Sequence, residues 1–459
     1  MNTDVVICNF PPMLKYYLPA GPAVLLGACQ WLGLKSEYID FNTEKTIDID
    51  IWAKQVVNQT PKIVALSIFS YKSKQYALDL SKKIKEKNSC IQIVIGGAGT
   101  KDALNGDIHP EFKYYLDRGI IDRCILGDGE YAFPELLTQI FNLPKIAKFD
   151  FSTLPYLGDY SKHNLSYYGQ EASVNNKKLI VPITGSRGCI RNCTYCDVPA
   201  RWKFMQKDSE LIANEIESIL SNLPFTAIHI HFTDSLVNGN LHTFDRLLDR
   251  LIDIKLKYPN FTWGGQFIIR RAKQSTDEYW KRIGKSGAYN LEIGIETGSD
   301  RLRAKMKKHF SNDDLRHSLK LMEKYNVTCI FLMFTGSPDE TIDDFDESLS
   351  LLTEFSKYSS KVITEIQLGY LTTINPETPL LEKSKNDTSM ILTKNPIVWY
   401  NKNNPTLTFA ERIRRRENFE SHAQNCGYKL SWDTHIQIEE AYQSYHENIS
   451  IIKLIEKQK

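Results

Sequence analysis

Twice along this chain, short β-branched runs alternate with amphipathic stretches of about a dozen residues, the signature of strands joined by crossover helices. Such strands lie parallel, and their crossovers are right-handed. In the first series Asp4–Phe10 reads as a buried strand ended by Pro11-Pro12. Ser36–Phe41, Ile63–Phe69, Ile91–Ile95 and Ile121–Leu126 follow as strands. Helical patterns fill Pro22–Leu32, Ile49–Asn58 and the stretch around Tyr76–Ile84 between them. Residues 1–144 are therefore expected to form a doubly wound, flavodoxin-like layer, in which ligands sit beyond the carboxyl ends of the strands. Gly96-Gly97 and Gly127-Asp128-Gly129 fall at those ends, where glycine admits close backbone approach.

Residues 145–178 show little periodicity and contain Pro155, Gly158, Gly169 and Asn175-Asn176, which reads as a linker. The second series occupies 179–384. Its strands are Leu179–Thr184, Ala227–Phe232, Phe261–Ile269, Asn290–Ile295, Thr328–Phe334 and Val362–Tyr370. Its helices are Asp208–Asn222, Leu241–Lys257, Thr276–Ser286, Asp313–Tyr325 and Ile342–Phe355. Six β/α units make a partial (β/α)6 barrel, and barrel sites form at the carboxyl ends of the strands. Residues 385–459 read as a small, mainly helical capping region. The expected class is α/β throughout the two main domains.

Charge and hydropathy narrow the partners. Lys+Arg 57 against Asp+Glu 55 gives a net charge of +2, too balanced for a whole-chain nucleic-acid binder. Two local basic clusters remain, Arg301–Lys308 and Arg412–Arg416, to be read as solvated helix faces or as a site for a phosphate-bearing substrate. Trp399, Tyr400, Tyr428 and Trp432 are core or barrel-capping aromatics. No apolar run approaches the roughly 18 residues of a membrane span. The acidic N-terminus does not resemble a signal peptide. A cytoplasmic protein without a membrane partner is expected.

The chain has nine cysteines, an odd number that argues against a disulfide framework. Cys8, Cys29, Cys90, Cys124, Cys329 and Cys426 are scattered in or beside apolar stretches and read as small core residues. Cys189, Cys193 and Cys196 instead crowd into one polar loop with Arg187, Arg191 and Asn192, directly after the first barrel strand. Three thiolates so spaced can ligate three irons of a cubane cluster and leave the fourth iron open. A zinc site would need a further ligand at finger-like spacing, and His229 and His231 lie far along the chain.

The spacing C-x3-C-x2-C, with Tyr195 before the last cysteine, resembles the radical S-adenosylmethionine (SAM) superfamily, whose fold is a partial barrel. The resemblance implies a [4Fe–4S] cluster held by Cys189, Cys193 and Cys196, with SAM chelated at the open iron and cleaved by an electron to a 5'-deoxyadenosyl radical. The cofactor carries that chemistry, and the protein aims it. Phe232-Thr-Asp-Ser235 ends the second barrel strand, where the family holds the SAM amino group. Glu292-Ile-Gly-Ile-Glu-Thr-Gly-Ser-Asp300 and Gly336-Ser-Pro-Asp-Glu-Thr341 match fourth- and fifth-strand signatures of the cobalamin-domain subclass and, for the former, of methylthiotransferases. On this resemblance Tyr195, Asp234, Gln266, Arg270, Glu292 and Glu296 are the SAM-side residues. The plainer readings are a barrel-rim ion pair for Arg270, Glu292 and Glu296, and helix-start charges for Asp300 and Glu340.

The N-terminal layer resembles the cobalamin (B12)-binding domain of that subclass. Ser67, Ser70, Gly96, Gly97, Gly127 and Gly129 would then face the corrin or its nucleotide tail. The family's cobalt-binding histidine motif is not matched: Asp107-Ile-His109 lacks the glycine and follows the wrong strand. Cobalamin with an unligated lower face and a domain without cobalamin both remain open. The resemblance implies an enzyme that methylates or rearranges an unactivated carbon of a small or medium-sized substrate, served by an electron donor such as flavodoxin or ferredoxin. The alternatives are a methylthiotransferase-like modification of RNA or protein, and a non-catalytic iron–sulfur redox protein. The sequence assigns no catalytic acid or base, and nucleic acid is not the expected partner.

Overall fold

The computed structural model describes residues 3–457 apart from 14–16, 102–106, 175–177, 202, 225–226, 370, 432–438 and 440–441. Of the positions singled out above, Asn175, Asn176, Tyr370 and Trp432 lie outside the described residues. The chain divides into two compact units, Met1–Ile183 with Glu210–His231, and Thr184–Ser209 with Phe232–Lys459.

The first unit is built on β1 (Val5–Asn9), β2 (Ser36–Asp40), β3 (Ile63–Ser67), β4 (Gln92–Gly96) and β5 (Arg123–Ile125), all parallel, in the order β2-β1-β3-β4-β5. This is the flavodoxin-like order expected from the alternation. Side chains alternate faces along a strand. Val6, Cys8, Val64, Leu66, Ile93 and Ile95 join one core with Trp52 and Ala77. Val5, Ile7, Ile63, Ala65 and Val94 join the other with Leu26, Cys29, Phe133 and Leu137. Both faces are covered, so the central strands β1, β3 and β4 are mostly apolar.

The stretch read as a linker is a packed strap. It holds a 3₁₀ turn, Phe151–Thr153, capped by Asp150, and a helix, Leu165–Val174. Phe151, Leu154, Tyr156, Tyr160 and Tyr168 are buried. The phenols find partners: Tyr156 donates to Glu130 O at 2.7 Å, Tyr160 to Pro182 O and Tyr168 to Asp40. These aromatics follow no helical or strand period, which is why the sequence looked structureless.

The barrel strands are β6 (Leu179–Ile183), β9 (Ile228–Phe232), β10 (Thr262–Phe267), β11 (Leu291–Glu296), β12 (Cys329–Met333) and β13 (Ile363–Leu368), in the sheet order β13-β12-β11-β10-β9-β6. Between them, β7 (Ser186–Arg187) and β8 (Met205–Gln206) form a short antiparallel pair. In the second unit Phe267 packs on Phe244 and Trp280 of the flanking helices, and its register partner Ile293 shares that face. Gln266 and Glu292, also register partners, point the opposite way. Beyond β13 the chain returns at residues 429–431: Ile366 N–H donates to Lys429 O at 2.8 Å and Ser431 N–H to Ile366 O at 3.1 Å.

The C-terminal region adds a hairpin to its helices, β14 (Met390–Leu392) against β15 (Trp399–Asn401). Trp399, Tyr400 and Tyr428 are core residues there. The basic clusters are not solvated faces throughout: Arg303, Arg412, Arg415 and Arg416 are fully buried.

Candidate functional site

The cysteine loop hangs from a clamp. Gly185 N–H donates to Asp234 Oδ1 at 2.7 Å, and Ser186 Oγ donates to Asp234 Oδ2 at 2.6 Å. The β7–β8 pair then closes the base of the loop, and Lys207 N–H reaches Gly185 O at 2.9 Å. Asp234, expected on the SAM side, therefore spends both oxygens on the loop. Its burial pushes its carboxyl up to about 6. At the tip, Thr194 N–H donates to Met306 O at 3.2 Å and Leu380 N–H to Thr194 O at 2.7 Å. Cys193 is buried, and Cys189 and Cys196 are half-buried. Burial raises the Cys193 thiol and pushes Cys196 up to about 11, each also raised by its neighbouring cysteines, so the three sulfurs share one neighbourhood.

Among the described residues no three cysteine, histidine or acidic side chains converge tightly enough for a single metal ion. A cubane places each cysteine on a different iron, so its ligands surround a cube rather than a point. The spacing and donor set fit that cluster and not a zinc ion.

Glu296 ends β11 in a left-handed conformation, φ 61°, and is 8% exposed. It accepts the Tyr195 hydroxyl at 2.7 Å and pairs with Lys308 at 2.7 Å. Lys308 also donates to Gly294 O at 2.9 Å. A Cβ at Gly294 would lie 2.4 Å from Glu296 Oε1 and 2.8 Å from Lys308 Nζ, so glycine leaves the room that the ion pair fills. Lys308 was not legible as a partner, since it lies beyond the recognised segment on the far side of a short helix, Asp300–Lys305.

Arg270 follows β10 and is 8% exposed. Its Nη2 donates to Gly239 O at 3.1 Å and to Asn238 O, while its Nε is buried without a hydrogen-bond partner. Burial lowers its affinity for the proton, Tyr279 works against that, and the charge of Arg191 adds to it. Arg270 thus lies within electrostatic reach of Arg191 in the cysteine loop and has a donor left over. A carboxylate such as that of SAM answers both features. Asn238, missed in the sequence, fixes this corner: it exchanges 3.0 Å hydrogen bonds with Ile268 N–H and Ile268 O.

Gln266 and Glu292 lie side by side on the face away from the helices, with Gln266 exposed. Glu292 lies near the start of its strand, four residues before Glu296 and about 13 Å along the strand from it. Burial pushes its carboxyl up to about 7. Asp300 takes the plainer role in the first turn of its helix, whereas Glu340 precedes the Thr341 cap and is a buried ion-pair partner instead. Asp300 pairs with Arg303, and Glu340 accepts Gly336 N–H at 2.9 Å and Arg415 at 2.8 Å.

In the first unit Ser67 and Gly96 end β3 and β4. Ser70 Oγ accepts Lys72 N–H at 3.2 Å. A Cβ at Gly97 would meet Ile68 O at 2.4 Å, so this turn is packed against its neighbour. Gly127 and Gly129 are different: Gly127 has open space and Gly129 only Leu25 at 3.9 Å. Phe69 and Leu126, after β3 and β5, are 66% and 41% exposed. Open glycines and exposed apolar side chains at the strand ends fit the flat apolar face of a corrin. His109 does not add a cobalt ligand; its Nδ1 accepts Glu111 N–H at 3.3 Å and caps the helix Pro110–Asp117.

Residues 183–352 match the family model described as the radical SAM superfamily. That segment thus carries a radical SAM domain, and the cofactors of the superfamily it matches are a [4Fe–4S] cluster and SAM. It is similar to a tRNA-2-methylthio-N(6)-dimethylallyladenosine synthase of Buchnera aphidicola subsp. Baizongia pistaciae (strain Bp), 23% identical over 67% of this chain and 65% of that protein. It is also similar to the synthase of that name from Clostridium botulinum (strain Hall), 27% identical over 39% of this chain and 40% of that protein. The chain thus spans just under two thirds of the first relative's length and about two fifths of the second's. Its fold resembles the radical SAM methyltransferase TsrM from Kitasatospora setae with tryptophan substrate and a SAM analogue bound (TM-score 0.65, 14% identity, 96% of this chain and 99% of that one). It also resembles the cobalamin-dependent SAM radical enzyme OxsB with aqua-cobalamin bound (TM-score 0.60, 16% identity, 90% and 66%). Among the described residues no helix is long and apolar enough to cross a membrane.

Proposed function

We propose that this protein methylates or rearranges an unactivated carbon of a small or medium-sized substrate by radical SAM chemistry, with cobalamin held by the first unit. The observation that carries the proposal is the buried, orphaned Arg270 Nε, on which the charge of Arg191 in the cysteine loop acts, together with three cysteines whose spacing suits a cluster with one open iron. The bound cluster supplies the electron that cleaves SAM. The chain supplies the rest. Arg270 and Arg191 orient the SAM carboxylate, Asp234 holds the base of the loop, and Tyr195, Glu296 and Lys308 brace its tip. Gln266 and Glu292 present polar groups to the inner face. Anaerobic reconstitution with SAM and dithionite tests this: 5'-deoxyadenosine should form, and an intact cluster that leaves SAM uncleaved would reduce the protein to an electron carrier. A flavodoxin or ferredoxin is the expected physiological donor.

The curated relatives favour a second reading, methylthiolation of a tRNA. That chemistry calls for a second cluster held by three further cysteines. Cys8 and Cys29 sit in cores on opposite faces of the first sheet, and Cys90 is exposed, which supports the first reading over the second. Assaying bulk tRNA for added methylthio groups separates the two.

A further inference from the structure

The helix Phe409–Asn425 carries four arginines in five positions, and Arg412, Arg415 and Arg416 are at most 2% exposed. A guanidinium taken out of water needs an anion to meet it. Arg415 has Glu340 at 2.8 Å and Glu411 at 3.0 Å, and Arg416 has Glu420 at 3.2 Å. Arg412 has no ion pair among the described residues. Its Nη2 donates to Ile397 O at 2.5 Å, while Nε and Nη1 are buried without a partner. The rings of Trp399 and Phe409 lie 4.1 and 4.8 Å from its guanidinium carbon, but a ring face does not accept the in-plane N–H groups left over. Glu340 and Glu456 reach it only at longer range, and both are engaged, Glu340 with Arg415 and Glu456 with Phe409 N–H at 3.1 Å.

A second orphan flanks the same turn. Thr335 Oγ1, on a residue 2% exposed, has no hydrogen-bond partner. It precedes Gly336, and a Cβ at Gly336 would lie 3.0 Å from Arg412 Cγ. Thr335 follows the end of β12, on the side of the strands where barrel ligands bind. Two buried residues thus hold three unmet polar atoms, and the stem of Arg412 packs on the turn that directly follows Thr335.

We propose that Arg412 and Thr335 form a binding point for the carboxylate of a small molecule. A carboxylate presents only acceptors, which suits donors alone, and its single charge matches the one unpaired guanidinium. A phosphate monoester, at about −1.5 to −2, would leave excess negative charge buried. Assigning this carboxylate to the substrate rests on the function proposed above; the site itself does not. The test is thermal unfolding of the reconstituted full chain, without SAM, in rising acetate at an ionic strength held constant with chloride, and the same series with inorganic phosphate. Tm should rise with acetate and saturate, respond less to phosphate, and lose most of the acetate response in Arg412→Gln and in Thr335→Val. Should Arg412→Gln fail to fold, Thr335→Val carries the comparison. Equal acetate responses in wild type and variants overturn the site. So does an unresponsive wild type whose Arg412→Met variant melts higher, since the guanidinium is then satisfied by buried water. No step of SAM cleavage enters the readout, so the site and the enzymatic reading fail separately.

Discussion

Lys308 and Glu296 form the one buried ion pair in contact with the cysteine loop's Tyr195 among the described residues. Removing one partner strands the other charge. Lys308→Met should therefore lower stability by about 3–5 kcal/mol in urea unfolding, and the double variant with Glu296→Gln should recover much of that loss. Asp234 gives a pH signature. Its carboxyl titrates near 6 in the fold, above the ordinary 3.8, so the folded protein holds a proton that the unfolded chain releases. Stability from this group is present below about pH 4, falls as pH rises, and levels off above about pH 6, a change of roughly 3 kcal/mol. Asp234→Asn keeps an acceptor for Gly185 N–H and should flatten that slope in melts taken between those limits. At this scale the sequence showed the cysteines and the Glu296 region because their spacing is local. It hid Lys308, Asn238 and Arg412, whose roles come from contacts across distant segments.

Among the elements, the strands were legible because they pair in parallel and alternate with helices that cover at least one face of each sheet, which gives apolar runs broken by helical patterns. The strap over residues 145–178 was not, because irregularly spaced aromatics mark it rather than a period. Its packing is tight where the helix Ala20–Trp31 passes beneath: a Cβ at Gly27 would lie 1.9 Å from Leu157 O, in backbone that cannot swing aside. Gly27→Ala should destabilise the first unit by about 3 kcal/mol or more, despite the higher helix propensity of alanine. A Tm no lower than wild type would show that the strap shifts freely. The register of β10 and β11 was likewise out of reach of a pattern that sees one strand at a time, and it sets Glu292 beside Gln266.

For the whole molecule, the cysteine loop's base is held by Asp234 and the β7–β8 pair, contacts that do not involve the three cysteines. Replacing Cys189, Cys193 and Cys196 by alanine should abolish bound iron and sulfide and the 5'-deoxyadenosine product, while far-UV circular dichroism stays unchanged. Protein produced with cobalamin supplied should retain it at one equivalent, with no histidine nitrogen splitting in the Co(II) resonance, since His109 is committed to a helix cap. Loss of all cobalamin on gel filtration would leave the first unit without the cofactor proposed for it.

The return of residues 429–431 to the edge of β13 has a temporal side. The ribosome makes them some sixty residues after β13, an interval of about 3–12 s at ordinary elongation rates. Throughout that interval the outermost strand has its hydrogen-bonding edge bare, which is the state in which nascent sheets pair with one another. A nascent chain stalled before residue 429 should therefore demand chaperone binding that a chain stalled beyond residue 431, with that segment clear of the exit tunnel, does not.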